Sequence, residues 1–345
     1  MKREMTTCGA VLAFSLAAGA AMAQEKLVLY NWFEYTPKEL IDKFTAETGI
    51  EVTLDTYDSN EALLAAIKAG GLGTYDLALP NDYMVKIMAN EGLLDTIAPG
   101  ELSNIGNIED QWLAVPFDPG RQHSVPYQWG STSFAVNRSV YPGNINTLEI
   151  LFNPPAELAG RINMVDLQPE VMLMASLYLG IPQCTTDRDQ LRALNDQLKT
   201  SKKNWVSFNS DTAKEVLVSG DVAAGMIWNG FAAKARAEGA NIEYAYPKEG
   251  YIVWSDSLVL LKDAPNRKNA LKFMNFMLEP ENVATLTNWT AYSASVKGVA
   301  ELLDPELAKQ SELNPPAGTP AGTFIEVCDE ATQSVYDKIW TDLRQ

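Results

Sequence analysis

The run Leu27-Val28-Leu29-Tyr30 has no charged or strongly polar position on either face. That is the pattern of a strand covered on both sides, as in a parallel sheet. The next segment restricts the topology. Thr36-Pro37-Lys38-Glu39 predicts a helix start, with Thr36 as cap, Pro37 at the first helical position and Glu39 closing a capping box. Leu40, Ile41 and Phe44 fall on one helical face, Gly49 stops the helix, and Glu51 to Tyr57 alternates as a strand. Strand, helix and strand in this order form a βαβ unit, which requires a parallel pair.

The unit repeats. Asp58-Ser59-Asn60-Glu61 opens a helix through Leu63, Leu64 and Ile67, and Tyr75 to Leu79 is the next strand. Gly70, Gly71 and Gly73 precede that strand, so they read as a helix stop and turn instead of a phosphate loop. Pro99 to Pro126 reads as a surface excursion. Strands are expected over Val125–Asn137, Arg161–Asp166, Ala223–Trp228, Ile242–Ala245 and Ile252–Leu261. Helices are expected over 169–179, 187–199, 212–218, 232–238, 266–278 and 332–343. Alternation over this length means an α/β fold.

The first residues form a candidate signal peptide: Lys2 and Arg3, an apolar stretch from Gly9 to Ala20, and the small-residue site Ala21-Met22-Ala23. A membrane anchor is the rival reading, although the stretch falls short of the roughly 20 residues that span a bilayer. Cys8 lies outside any lipidation pattern and is removed with residues 1–23. Cleavage there removes two positive charges and one negative, taking the formal charge from −17 to −18. Such acidity disfavours nucleic acid and anionic membranes and suits cationic ligands, with solubility as the plain alternative. The single histidine, His123, reads as a loop residue, so neither a Cys/His zinc site nor a Ser-His-Asp triad is expected. No metal or cofactor is expected. Cys184 and Cys328 remain, and an exported pair is a candidate disulfide whose geometry the sequence leaves open.

Ligands of open α/β sheets bind beyond the carboxyl ends of the strands. Trp32, Glu34 and Tyr35 follow the first strand, and Asn81, Asp82 and Tyr83 follow Leu79. Asp166 and Glu170 follow the 161–165 run, Trp228 ends another strand, and Trp254-Ser255-Asp256 begins the long one. Each aromatic taken singly is a plausible core residue. Together they describe an aromatic box with carboxylates, and no Lys or Arg follows directly at these five sites. Ring faces attract cations at roughly 0.5–2 kcal/mol each, and carboxylates add charge-assisted hydrogen bonds. The chemistry selects a small organic amine.

At these residues the chain resembles the periplasmic spermidine/putrescine-binding proteins, receptors that deliver polyamines to ABC importers. The resemblance runs through Tyr30-Asn31-Trp32-x-Glu34-Tyr35, Phe44-Thr45-x-Glu47-Thr48-Gly49-Ile50, Pro116-Phe117-Asp118-Pro119 and Ser124-Val125-Pro126-Tyr127-x-Trp129-Gly130. It continues in Gly225-Met226-Ile227-Trp228-Asn229-Gly230, Tyr246-Pro247-Lys248-Glu249-Gly250 and Trp254-x-Asp256-Ser257. It implies a two-lobed, type II binding-protein fold with the ligand in the cleft and closure by hinge motion. Implied boundaries are 24–133 plus 255–298 for one lobe and 134–254 plus 299–345 for the other. Implied ligand contacts are Trp32, Glu34, Tyr35, Asn81 and Tyr83 from one side, and Glu170, Trp228, Trp254, Asp256, Tyr292 and Glu326 from the other and the crossings. Both cysteines then fall in the second lobe.

The chain departs from the family at Leu167 and Phe231, where acids are expected, and Phe33 replaces a small polar residue. The proximal ammonium site is intact and the distal one altered. The implied protein is a periplasmic, monomeric receptor whose partners are ABC permease subunits. Two alternatives stay open: a receptor of the same fold for a mono-amine, a γ-amino acid or a metal complex, and a secreted hydrolase using a carboxylate pair such as Glu34 and Glu170.

Overall fold

The computed structural model describes residues 25–33 and 35–345. The expected signal peptide, Cys8 and Glu34 therefore lie outside the described residues. The first half carries β1 (Lys26–Trp32), α1 (Lys38–Thr48), β2 (Glu51–Tyr57), α2 (Asn60–Ala66), β3 (Leu77–Ala78) and α3 (Asp82–Asn90). After α4 (Asp110–Leu113) and the short hairpin β4 (Ala114–Val115) and β5 (Asp118–Pro119) comes β6 (Ser124–Asn137). The chain then builds α5 (Glu149–Phe152), β7 (Ile162–Met164), α6 (Gln168–Leu179), α7 (Arg188–Ser201), β8 (Trp205–Phe208) and α8 (Ala213–Ser219). β9 (Ala224–Trp228), α9 (Asn229–Ala237) and β10 (Ile242–Tyr244) lead into β11 (Ile252–Leu260). α10 (Arg267–Phe276), α11 (Pro280–Thr290) and α12 (Glu330–Arg344) complete the order.

The main sheet runs β2-β1-β3-β11-β6-β9-β7-β8, with β10 extending the pairing of β6. β1 pairs in parallel with β2 and β3, as the first βαβ unit requires, and β7 pairs in parallel with β8 and β9. The two parallel sets are joined by β6 and β11, which pair antiparallel from Ser124–Val259 to Thr132–Ile252. A register shift interrupts that ladder between Asp256 and Ser257.

Two cores flank this pair, giving a two-lobed α/β molecule. One gathers Leu27, Leu29, Phe44, Leu77, Val125 and Phe273, among others, and the second gathers Phe134, Phe152, Met164, Leu194, Met226 and Tyr336. Cys184 and Cys328 form a disulfide on the second side, with Cα atoms 5.1 Å apart. Just before it, the late segment returns to the crossing strands: Val253 N–H donates to the Thr323 carbonyl at 3.0 Å. Phe324 packs its ring against Trp112 and Phe117.

Three expectations change. Thr36 does not cap α1; Pro37 holds the cap position in extended backbone, and the Thr36 hydroxyl is engaged with Asn31 and Tyr127 instead. The excursion before β6 is not simply surface, because Trp112, Val115, Phe117 and Arg121 are buried. Asp118 makes that possible by accepting from the Gln122 and His123 N–H groups and the Ser124 hydroxyl, so the backbone stays satisfied away from water. α3, β8 and the 280–290 helix were not expected, although Pro280 stands at the start of the last, where proline is favoured. Among the described residues no helix is long and apolar enough to cross a membrane.

Candidate functional site

The end of β1 turns sharply because Asn31 is buried and bonds locally. Its Oδ1 accepts from Trp32 N–H at 2.7 Å, and its Nδ2 donates to Thr36 Oγ1, also at 2.7 Å. The turn leaves Phe33 72% exposed while Trp32 leans inward. The Trp32 ring lies 4.6 Å from that of Tyr57, and both side chains donate to the carbonyl of Leu79 where β3 ends, at 2.9 and 2.6 Å.

Tyr35 points across to the crossing strand, where its hydroxyl donates to Asp256 Oδ2. Burial first, and then the charge of Asp256, push this phenol well above its usual pKa, so it remains the donor. Tyr292, which follows α11, stands 6.1 Å from Tyr35 and meets Trp254 edge-on at 5.0 Å. Two glycines permit these ring positions. A Cβ at Gly130 would lie 2.4 Å from the Trp254 ring, and one at Gly230 would lie 2.5 Å from the Tyr292 ring.

From the second lobe, Glu170 enters on the first turn of α6 and Trp228 at the end of β9. The Trp228 indole donates to Glu170 Oε1 at 3.3 Å and packs edge-on against Phe231 at 5.3 Å. Glu170 Oε2, the Thr132 hydroxyl and Trp254 Nε1 are buried without a hydrogen-bond partner among the described residues.

Three carboxylates thus form one buried, mutually interacting cluster. Asp82, Glu170 and Asp256 are 2%, 8% and 6% exposed. Burial is the main force on each, lifting Asp82 to about 8 and both Glu170 and Asp256 to about 7. Mutual repulsion adds to the effect on Asp82 and Asp256, while hydrogen bonds from Ser255 and Tyr83, from Trp228 and from Tyr35 oppose it. No cation among the described residues contributes to any of the three shifts. The buried guanidinium of Arg121 is held by the Trp112 carbonyl and the hydroxyls of Ser124 and Ser257. Buried acids without a cationic partner keep their protons to higher pH, and a cation entering among them would favour the ionised forms.

Of the residues singled out from sequence, the structure brings Trp32, Tyr35, Trp228, Trp254, Tyr292, Glu170 and Asp256 to this cluster or its neighbourhood. Asn81 reaches it through its backbone, which pairs with Asp256, while its side chain accepts from Met84 N–H to cap α3. Tyr83 lies at the margin, donating to Glu61 at 3.0 Å. Glu326 is not brought there: it is exposed beside the disulfide, and its N–H donates to Gln183. The α6 face turned to it carries Gln168, Met172 and Ser176, not Glu170. Asp166 is drawn the other way, into an ion pair with Arg344 at 2.8 Å. Asp82 belongs to the cluster more closely than Tyr83 does; its position directly after a strand was the signal for it.

A family model for bacterial extracellular solute-binding proteins matches residues 39–315. The spermidine/putrescine-binding periplasmic protein of Escherichia coli K12 is 36% identical over 343 residues, covering 99% of this chain and 98% of its own. That of Salmonella typhimurium is 38% identical over 92% of this chain and 90% of its own. The crystal structure of the spermidine/putrescine ABC transporter substrate-binding protein PotD of Streptococcus pneumoniae superposes with a TM-score of 0.82 at 31% identity, over 93% of this chain and 98% of that one.

Proposed function

This chain belongs to the bacterial extracellular solute-binding proteins, and on that premise we propose that it is a periplasmic receptor that binds a polyamine, putrescine or spermidine, and passes it to an ABC permease. It is a binding protein and not an enzyme, as its relatives are. The observation that carries the ligand assignment is the group of three buried carboxylates, shifted upward with no cation among the described residues to offset them, beside the rings of Tyr35, Trp228 and Tyr292.

In this reading one ammonium group lies against Asp256 and Tyr35, walled by Trp254 and Tyr292. Glu34, adjacent in sequence, is a further candidate partner. A second ammonium group meets Glu170 beside Trp228, and the methylene chain lies along the rings. Glu326 is not retained. We place one lobe at 24–133 plus 255–298 and the other at 134–254 plus 299–345. Export by a signal peptide over residues 1–23 and action as a monomer complete the proposal.

Calorimetry and thermal shift on refolded, ligand-free protein test it. Putrescine or spermidine at 100 times its Kd should raise stability by about 2.7 kcal/mol. If neither amine moves the melting temperature while a γ-amino acid does, the polyamine reading is wrong.

A further inference from the structure

β3 consists of only two residues, yet its chain continues to accompany β11 beyond Ala78. Ser257 N–H donates to the Pro80 carbonyl at 3.0 Å, and Asn81 forms the next bridge, to Asp256. The next ladder donor along β11 is Ser255 N–H. There the backbone has turned away into α3, so no carbonyl is available to it. Asp82 supplies an acceptor: its Oδ2 accepts from Ser255 N–H at 3.1 Å, and its Oδ1 accepts from Tyr83 N–H at 2.6 Å. A side chain of the first lobe therefore takes a backbone acceptor's place between the two β11 residues that face the cleft, Trp254 and Asp256.

Resting on the receptor reading above, we propose that Asp82 is a positioning residue of the site, fixing the Trp254–Asp256 segment of the crossing strand and setting a further negative charge beside Asp256. An alcohol or amide could accept one N–H here, but only a carboxylate can accept both and carry charge. The cluster surrounds it with groups that respond to that charge. Asp256 lies on β11 and Glu170 on α6, and both raise the Asp82 carboxyl. Tyr83, whose phenol is held up mainly by burial and by Glu61, also feels Asp82. Tyr35, Tyr57, Tyr127 and Tyr292 surround Asp256 and are pushed upward, so they stay neutral through the physiological range. Entry of an ammonium group then favours loss of the proton from Asp82 as well as from Asp256 and Glu170.

Putrescine affinity of the full protein should be measured from pH 6 to 9 for the wild type, Asp82→Asn and Asp82→Ala. The alanine variant orphans Ser255 N–H and should bind about tenfold more weakly. The asparagine variant retains one acceptor and should recover most of that loss at pH 6.5. Its affinity should stop rising near pH 7, where Asp256 and Glu170 titrate, whereas the wild type should gain up to about pH 8. Wild-type affinity in Asp82→Ala, or an asparagine profile superimposable on the wild type, overturns the proposal. Should the wild type bind no amine, the receptor reading fails, and carboxyl NMR of the ligand-free protein then decides about Asp82. Disappearance of one coupled step near pH 8 in Asp82→Asn supports its place in the cluster, and an unchanged titration removes it.

Discussion

The indole of Trp228 donates to Glu170 Oε1 at 3.3 Å, while the second carboxylate oxygen, equally enclosed, is left unsatisfied. One ring thus holds the acid in place without neutralising it. Glu170→Gln should weaken putrescine binding by about 10- to 100-fold, the scale of a hydrogen bond to a charged group. Titration calorimetry checks this, and the same variant should raise the ligand-free melting temperature at pH 8 by relieving a buried charge.

Asp256→Asn should reduce amine affinity more than tenfold, because a charge-assisted contact becomes a neutral one. Tyr35→Phe removes only the donor that orients Asp256 and should cost a few-fold. Equal affinities in wild type and Asp256→Asn, with an intact circular dichroism spectrum, would take Asp256 out of the site.

The three raised carboxyls give a direction to the pH dependence. Their folded values of about 7 to 8 exceed unfolded values near 4, so between these limits the folded state holds more protons than the unfolded one. The contribution of these three groups to the stability of the ligand-free protein should therefore fall as pH rises from about 5 to 8. A polyamine should offset most at the upper end, and calorimetry in buffers of different ionisation enthalpy should detect proton release near pH 7.

Gly230→Ala would drive a Cβ to 2.5 Å from the Tyr292 ring. Overpacking of this kind costs about 1–3 kcal/mol. A lower melting temperature together with weaker putrescine binding is expected. Loss of stability alone would mean that the Tyr292 ring plays no part in recognition.

Reduction of the disulfide opens a connection between residues 144 apart in sequence and should destabilise the protein by about 2–5 kcal/mol. Amine affinity at 25 °C should change little, since the bridge lies beside Gln183 and Glu326 and not beside Glu170. Denaturant melts with and without a reductant, followed by calorimetry, separate the two effects.

The positions of strands and helices were legible because hydrophobic period and end signals agree along most of the chain. Leu27–Tyr30 and the turn at Gly49 are cases in point. The carboxyl-end rule led directly to Trp32, Asp82 and Trp228, whereas Asp256 lies inside β11 and was legible from the pattern Trp254-x-Asp256-Ser257. Burial in the 109–124 stretch was not legible, because it depends on Asp118 collecting three donors that sequence alone does not align. Glu326 was misplaced for a related reason: its neighbours are set by a disulfide and a long return of the chain, not by local pattern. The diversion of Asp166 to Arg344 likewise depends on a helix at the far end of the chain.

Asp256 lies on β11, one of the two continuous strands on which both halves of the molecule hang. In the proposed receptor the residue that meets the charge of the cargo therefore lies on a strand that links the halves. The charge that meets the cargo is thus built into the connection between the halves and not into either half alone.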